Sequence, residues 1–219
     1  MKIIEPYFQI LHMADAEDIY RHLELAARNC YKSEEQISDG TAEEFLQRIL
    51  KSGHESVIEH ISITVRIVCD RGVLAELTRH RLASFSVEST RYANYSKDKF
   101  GSEITVIKPF FWQEDSPQYR EWETAMAACE QSYMSLIQSG SKAQEARSVL
   151  PNSLKTDIII TANIREWMHI FNLRCSKASH PQMRQIMLPL LAEFNRRVPV
   201  LFGGVYEKYR ESITGFCHQ

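Results

Sequence analysis

The sequence predicts an α+β fold, with a mixed or antiparallel sheet packed against several long helices. Three observations carry this. Short runs rich in β-branched residues alternate with period two, as at 60–69. Longer stretches repeat apolar residues at helical spacing, as at 116–139. No internal repeat, low-complexity tract or linker interrupts the 219 residues, so one domain over 1–219 is expected.

Residues 2–10 alternate loosely and suggest a strand. Residues 14–28 read as a helix with Ile19, Leu23 and Ala26 on one face. Thr41-Ala42-Glu43-Glu44 has the form of a capping box opening a helix to about residue 52, where Gly53 stops it. Residues 60–69 form a strand, and 73–80 give one or two helical turns that deliver Arg79 and His80 to an irregular polar loop. Residues 103–108 are a further β-rich run. In the helix at 116–139, Trp122, Met126, Cys129, Tyr133 and Leu136 share a stripe, with Gly140 as the stop. A short helix carries Arg147 and ends at Leu150-Pro151. Ile158, Ile159 and Ile160 suggest a buried strand. Asn163 opens a helix to about Arg174. On it Ile164, Trp167, Met168 and Phe171 face the core, while Arg165, His169 and Asn172 project away. Pro181 opens the next helix, which Pro189 should kink or interrupt. A last helix is expected over about 204–213.

Composition is ordinary for a globular protein, at 44% hydrophobic and 25% charged. A formal net charge of −2 argues against a polyanion-binding protein. Five scattered cysteines, none at CxxC spacing, fit a reduced intracellular protein rather than a disulfide framework. No signal-peptide run and no stretch of about 20 apolar residues is present, so a cytoplasmic location without a membrane is expected.

Against that neutral background, residues 79–92 stand out: three Arg, one His, one Glu, four hydroxyl side chains and two aromatics in fourteen positions. Guanidinium forks hold phosphate and carboxylate oxygens bidentately and stay charged at working pH. Such crowding is most economically explained by a bound phosphate or nucleotide. The competing reading is a surface patch in which Arg79, Arg81 and Arg91 pair with Glu76, Glu88 or Asp98. Ser84, Ser86 and Ser89 are individually ordinary turn residues. A serine nucleophile beside His80 is conceivable, but a triad needs geometry that sequence does not display. GxxxxGK[ST], GxGxxG and HExxH are all absent. With eight glycines, a glycine-rich phosphate cradle is not available, so arginines, hydroxyls and helix-terminal amides must take that role. His54, Glu59 and His60 do not share one helical face or a zinc pattern, and no metal is expected. Arg174 and Asn163 taken alone read as a dipole partner and a cap. Arg147 alone reads as a solvated charge, and Cys217-His218 as chance at a poorly ordered terminus.

Taken together, several elements resemble the flavin-dependent thymidylate synthases (the ThyX family). Arg79-His80-Arg81, seven residues, Ser89 and then Arg91-Tyr92 resemble that family's signature. Gly53-His54-Glu55-Ser56-Val57-Ile58-Glu59-His60 resembles its GHxSxxEH element, and Ala146-Arg147-Ser148-Val149-Leu150-Pro151 its ARxxLP element. Asn163-Ile164-Arg165 and Phe171-Asn172-Leu173-Arg174 resemble its later Asn-x-Arg and F-x-L-R elements. The order is the family's own, over roughly residues 26–200.

The resemblance implies conversion of dUMP to dTMP, with 5,10-methylenetetrahydrofolate as one-carbon donor and FAD reduced by NADPH as hydride source. It implies FAD contacts from Ser56, Arg79, His80, Arg81, Asn163, Arg165 and His169. It implies dUMP contacts from Arg91, Arg147 and the segment Ser89-Thr90, with Glu76 and Arg79 supplied by a neighbouring subunit. Arg174 should lie against the uracil as the catalytic residue and favour its anionic form. Homotetramers with active sites shared between subunits are expected. The chain departs from the pattern at Ser86-Val87. Val87 cannot make the carboxylate contact expected there, so Glu88, one place later, takes it or the contact is absent. Glu76 stands where Gln is frequent, His169 where Asn is also common, and Cys30 where Ser is common. Two alternatives are kept: a nucleotide- or RNA-binding module stacking bases on Phe85, Tyr92 and Tyr95, and a catalytically degenerate paralogue.

Overall fold

The computed structural model describes residues 1–98 and 101–216. Cys217-His218 lies outside the described residues. Backbone contacts divide the chain into two compact units. The first comprises 1–7, 66–79 and 85–159, and the second 8–65, 80–84 and 160–219.

The fold class is α+β, as expected. The N-terminal run forms two strands rather than one, β1 (Lys2–Ile4) and β2 (Tyr7–His12). Pro6 lies in the break between them; lacking an N–H, it cannot extend a ladder. β1 pairs in parallel with β5 (Thr105–Ile107) in a two-stranded sheet, Ile3 opposite Val106. The other sheet has the order β2-β3-β6-β4, with β3 at Ser62–Asp70, β4 at Ser84–Val87 and β6 at Lys155–Asn163. Each of its four strands carries residues of both units. Thr64 and Thr161 join hydroxyls at 2.9 Å, and Arg66 Nε donates to Asp157 Oδ1 at 2.9 Å. Numbers rise along β3 as they fall along β6, the sense of an antiparallel pair.

β4 corrects the expectation of an irregular loop. Its charged flanks mask Ser84-Phe85-Ser86-Val87, which alternates with period two. Glu88 continues the pairing by donating its N–H to the Asp157 carbonyl at 2.8 Å. β6 is likewise not a wholly buried isoleucine run: Ile158 and Ile160 are buried, and Ile159 is 37% exposed. A strand points successive side chains to opposite faces.

In the first unit, α3 (Arg71–Leu77) starts at Asp70, whose carboxylate accepts from the Val73 N–H at 2.7 Å. α4 (Pro117–Gln138) starts on a Ser116 cap with proline in its first turn. Trp122, Met126 and Tyr133 pack with Tyr95, Ile104, Val106 and Leu154 into this unit's core. α5 (Ala143–Ala146) runs into a short 3-10 turn at Arg147–Val149.

In the second unit, α1 (Ala16–Tyr31) is capped by Asp15, and α2 (Thr41–Lys51) ends before Gly53, whose φ of +75° suits glycine. The expected capping box does not form. Gly40 occupies the cap, and the Thr41 hydroxyl turns back to the Ser38 carbonyl at 2.8 Å. Glu24 and Arg28, both nearly inaccessible, form an ion pair at 2.7 Å inside α1. α6 (Ile164–Arg174), α7 (Pro181–Arg197) and α8 (Pro199–Phe216) close the unit. Trp167, Phe171, Phe194 and Phe202 interlock at centroid distances of 5.1 to 6.0 Å. Pro189 does not interrupt α7. Leu188, Leu190, Leu191 and Phe194 around it are fully buried, and that packing outweighs the lost hydrogen bond. α8 starts at Pro199, earlier than the expected 204, because Leu201 and Phe202 are core residues that precede its glycines. Among the described residues, no helix is long and apolar enough to cross a membrane.

Candidate active site

The expected ligand contacts separate between the two units. Glu76, Arg79, Glu88, Ser89, Thr90, Arg91 and Arg147 fall in the first; Ser56, His80, Arg81, Asn163, Arg165, His169 and Arg174 fall in the second.

In the first unit, Thr90 is buried and Arg147 exposed, and an Arg147 Nη donates to the Thr90 hydroxyl at 3.3 Å. Ser89 accepts from the Arg91 N–H at 3.3 Å, a local turn that ties the signature serine to the arginine two residues on. The Arg91 guanidinium sits 5.6 Å from the centroid of the Tyr92 ring. Glu76 is half-buried in α3, and Arg79 is exposed just beyond it. Glu88 is already committed: its carboxylate accepts from Lys155 Nζ at 2.6 Å and from the Tyr95 hydroxyl at 3.3 Å. These three residues, with Lys2 and Glu103, line a cavity of about 350 Å³. Among the described residues, none of Arg79, Arg81, Arg91 and Arg147 forms an ion pair with a carboxylate.

In the second unit, a cavity of about 640 Å³ is lined by Arg165, His169, Asn163 and Glu166, with Leu82 and Met168 among its apolar walls. Asn163 Oδ1 caps α6 by accepting from the Glu166 N–H at 2.9 Å, so its cap and lining roles coexist. Arg165 Nε meets Glu55 at 3.1 Å, and a terminal nitrogen meets Glu59 at 2.5 Å. Ser56 is exposed on the 3-10 turn Glu55–His60 that carries both acids, and Arg81 is exposed.

His80 is placed differently from its neighbours in the signature. It is 4% exposed, and both ring nitrogens face polar side chains. Arg174 Nε, at the end of α6, donates to His80 Nε2 at 3.0 Å, and His80 Nδ1 lies 3.4 Å from Glu166 Oε1. The His169 ring meets it edge-on at 5.7 Å. Burial, then the charges of Arg174 and His169, hold the His80 imidazole down to about 4. Burial pushes the Glu166 carboxyl up, and His169 opposes this. Burial thus acts against charge on both groups, so their approach is not an imidazolium–carboxylate pair, and at 3.4 Å it is longer than a good hydrogen bond. His80, Glu166 and His169 could each offer one metal-ligand atom, all within 4.8 Å. The Arg174 cation fixed on this trio opposes a metal ion there.

Sequence reasoning missed Glu166. It stands three residues after the Asn163 cap, where an acid usually faces solvent in the first turn. The signal available was its position between Ile164, Trp167 and Ile170 on α6.

The family model described as "Thymidylate synthase complementing protein" matches residues 11–200. A "Flavin-dependent thymidylate synthase" of Geobacter sulfurreducens is 36% identical over 185 residues, covering 81% of this chain and 78% of that one. The chain belongs to the flavin-dependent thymidylate synthase family. A namesake from Pyrococcus furiosus is 35% identical over 167 residues, covering 76% and 68%. A "Probable flavin-dependent thymidylate synthase" of Mycobacterium phage L5 is 31% identical over 210 residues, covering 89% and 82%. A solved structure shares the fold at a TM-score of 0.75 and 22% identity, covering 95% of this chain and 98% of that one. It is described as a UMP/dUMP methylase PolB from Streptomyces cacaoi bound with 5-Br dUMP. As a member of this family the chain is a methyltransferase enzyme. The module that stacks bases loses one support as well, because Tyr95 is 5% exposed and its hydroxyl is held by Glu88.

Proposed function

We propose that the protein methylates dUMP to dTMP, taking the carbon from 5,10-methylenetetrahydrofolate and the hydride from FAD reduced by NADPH. The observation that carries this is that Arg79, Arg91 and Arg147 of the first unit have no carboxylate partner among the described residues of a chain with net charge −2. Cations without a counter-charge suit a phosphate ligand. The name of the fold relative, a UMP/dUMP methylase bound with 5-Br dUMP, agrees with a uridylate substrate.

Arg147, steadied by Thr90, and Arg91, tied to Ser89, are assigned to the dUMP phosphate. Arg79 and Glu76 are assigned to nucleotide contacts supplied across subunits of a homotetramer. Leu82 and Tyr92, 80% and 79% exposed, are apolar surface that association could cover. For the flavin, the second unit's cavity offers an amide, an imidazole and a guanidinium beside apolar Leu82 and Met168, which suit a hydrogen-bonding ligand with a flat apolar face, while Glu55, Glu59 and Glu166 also line it and the first two pair with Arg165. Ser56, Asn163, Arg165 and His169 would hold it there, with Arg81 and Arg79 toward its phosphates. When bound, the flavin supplies the hydride. The chain's own contribution is electrostatic: Arg174 stabilises negative charge gathering on the uracil ring, which raises the nucleophilicity of carbon 5. Cys69 and Cys175 are buried, and burial pushes the Cys175 thiol up to about 12. Neither suits a thiolate mechanism. The four cysteines among the described residues are free, which fits a cytoplasmic setting.

Arg174→Ala and Arg91→Ala should abolish dTMP formation without loss of fold. Wild-type-like turnover in either variant would overturn the assignment. Saturating dUMP should raise the melting temperature, and no shift would count against a nucleotide site.

A further inference from the structure

We propose that His80 is a positioning residue: in the tautomer protonated on Nδ1, its bare Nε2 fixes the guanidinium of Arg174. This rests on the reading of Arg174 given above and deepens it.

A guanidinium Nε–H can only donate, so the nitrogen it meets at 3.0 Å must carry a lone pair. The single proton of a neutral imidazole then lies on Nδ1, on the side where Glu166 Oε1 stands 3.4 Å away. Reversing the tautomer would turn two N–H groups on one another at Nε2. The Arg174 bond therefore selects one state. Burial keeps the ring neutral, and His80 is 4% exposed, so water does not compete for this bond. His80 belongs to the short connection 80–84, and Glu166 and Arg174 lie two turns apart on α6. The imidazole bridges from the first turn of that helix to its last residue. Holding Nε sets the plane of the guanidinium, and so the direction of its terminal nitrogens. This is the role that an outer partner plays for a catalytic histidine or a metal ligand.

Two variants test this in the flavin-loaded protein. His80→Phe keeps the ring volume and removes the bond to Arg174. His80→Gln keeps an acceptor toward Arg174. We expect kcat for dTMP to fall about 10- to 100-fold in His80→Phe while KM for dUMP moves less than about threefold, as for a misaimed catalytic group. His80→Gln should keep most of the wild-type rate. If His80→Gln is no better than His80→Phe, the positioning role is overturned. The second readout needs no activity: the 15N spectrum of the wild-type protein at pH 7 should show His80 neutral with its proton on Nδ1. A proton on Nε2, or on both nitrogens, overturns the inference even if His80→Phe fails to fold. A wild-type protein that makes no dTMP would sink the proposed function, while this spectrum still decides the hydrogen-bond arrangement.

Discussion

Acidification should remove stability through His80, and the structure gives the size. The folded imidazole titrates at about 4, against 6.5 in an unfolded chain. Between those values the unfolded chain binds more protons, so stability rises with pH through the window and is lost as pH falls from 6.5 to 4. One pKa unit is worth about 1.4 kcal/mol, so the difference amounts to at most about 3 kcal/mol. Glu166 works in the other direction: its carboxyl is raised by burial, and protonating it relieves part of that cost as pH falls. His169 and Arg174, the remaining charged groups described around the ring, oppose its protonation. The assay is urea unfolding at pH 7, 6, 5 and 4, at one protomer concentration, for the wild type and His80→Gln. Glutamine does not titrate, so other groups cancel in the comparison. The stability advantage of the wild type should shrink toward pH 4 by up to about 3 kcal/mol. A constant difference across the four pH values would refute the assignment of the shift to His80.

Other substitutions have expected outcomes. Trp167→Ala should cost about 3–5 kcal/mol in denaturant unfolding. The indole is fully buried, stacks with Phe171 and Phe194, and donates to the Ile63 carbonyl at 3.1 Å. Glu24→Ala should cost a similar amount, because it strands the Arg28 guanidinium, 4% exposed, without its 2.7 Å partner. In a dUMP titration, Arg147→Ala should weaken binding about 10- to 100-fold, the scale of a lost charged hydrogen bond. Replacing Glu59 with Gln should tighten flavin binding by at most about fivefold, since Arg165 must now share itself between this exposed acid and the ligand. Weaker flavin binding would instead make Glu59 a support for Arg165.

Helix periodicity was the most legible part of the sequence. The stripe from Trp122 to Tyr133 predicts a helix over 116–139, and α4 spans Pro117–Gln138. Asn163 predicts the start of α6 because its side chain does the capping. What stayed hidden depended on distant partners. β4 is a strand because of its place beside β6, although its flanking arginines read as loop. Thr41 has the pattern of a cap, but Gly40 takes the position and frees the hydroxyl for Ser38. Pro189 obeys tertiary packing rather than local propensity. In the site, the crowding of arginines over 79–91 was legible by number alone. Their division from His80 was not, because burial and the approach of Arg174 arise only once α6 and the connection 80–84 are folded together. The same applies to Glu88, one place from a missing carboxylate in sequence but tied to Lys155 in space.

The account stands or falls on one measurement: anaerobic incubation of the purified protein and FAD with dUMP, 5,10-methylenetetrahydrofolate and NADPH, followed by chromatography for dTMP. The account predicts dTMP formation that needs all of these components and disappears in Arg174→Ala. Absence of dTMP from flavin-loaded, folded wild-type protein, or dTMP formation without flavin, would contradict it.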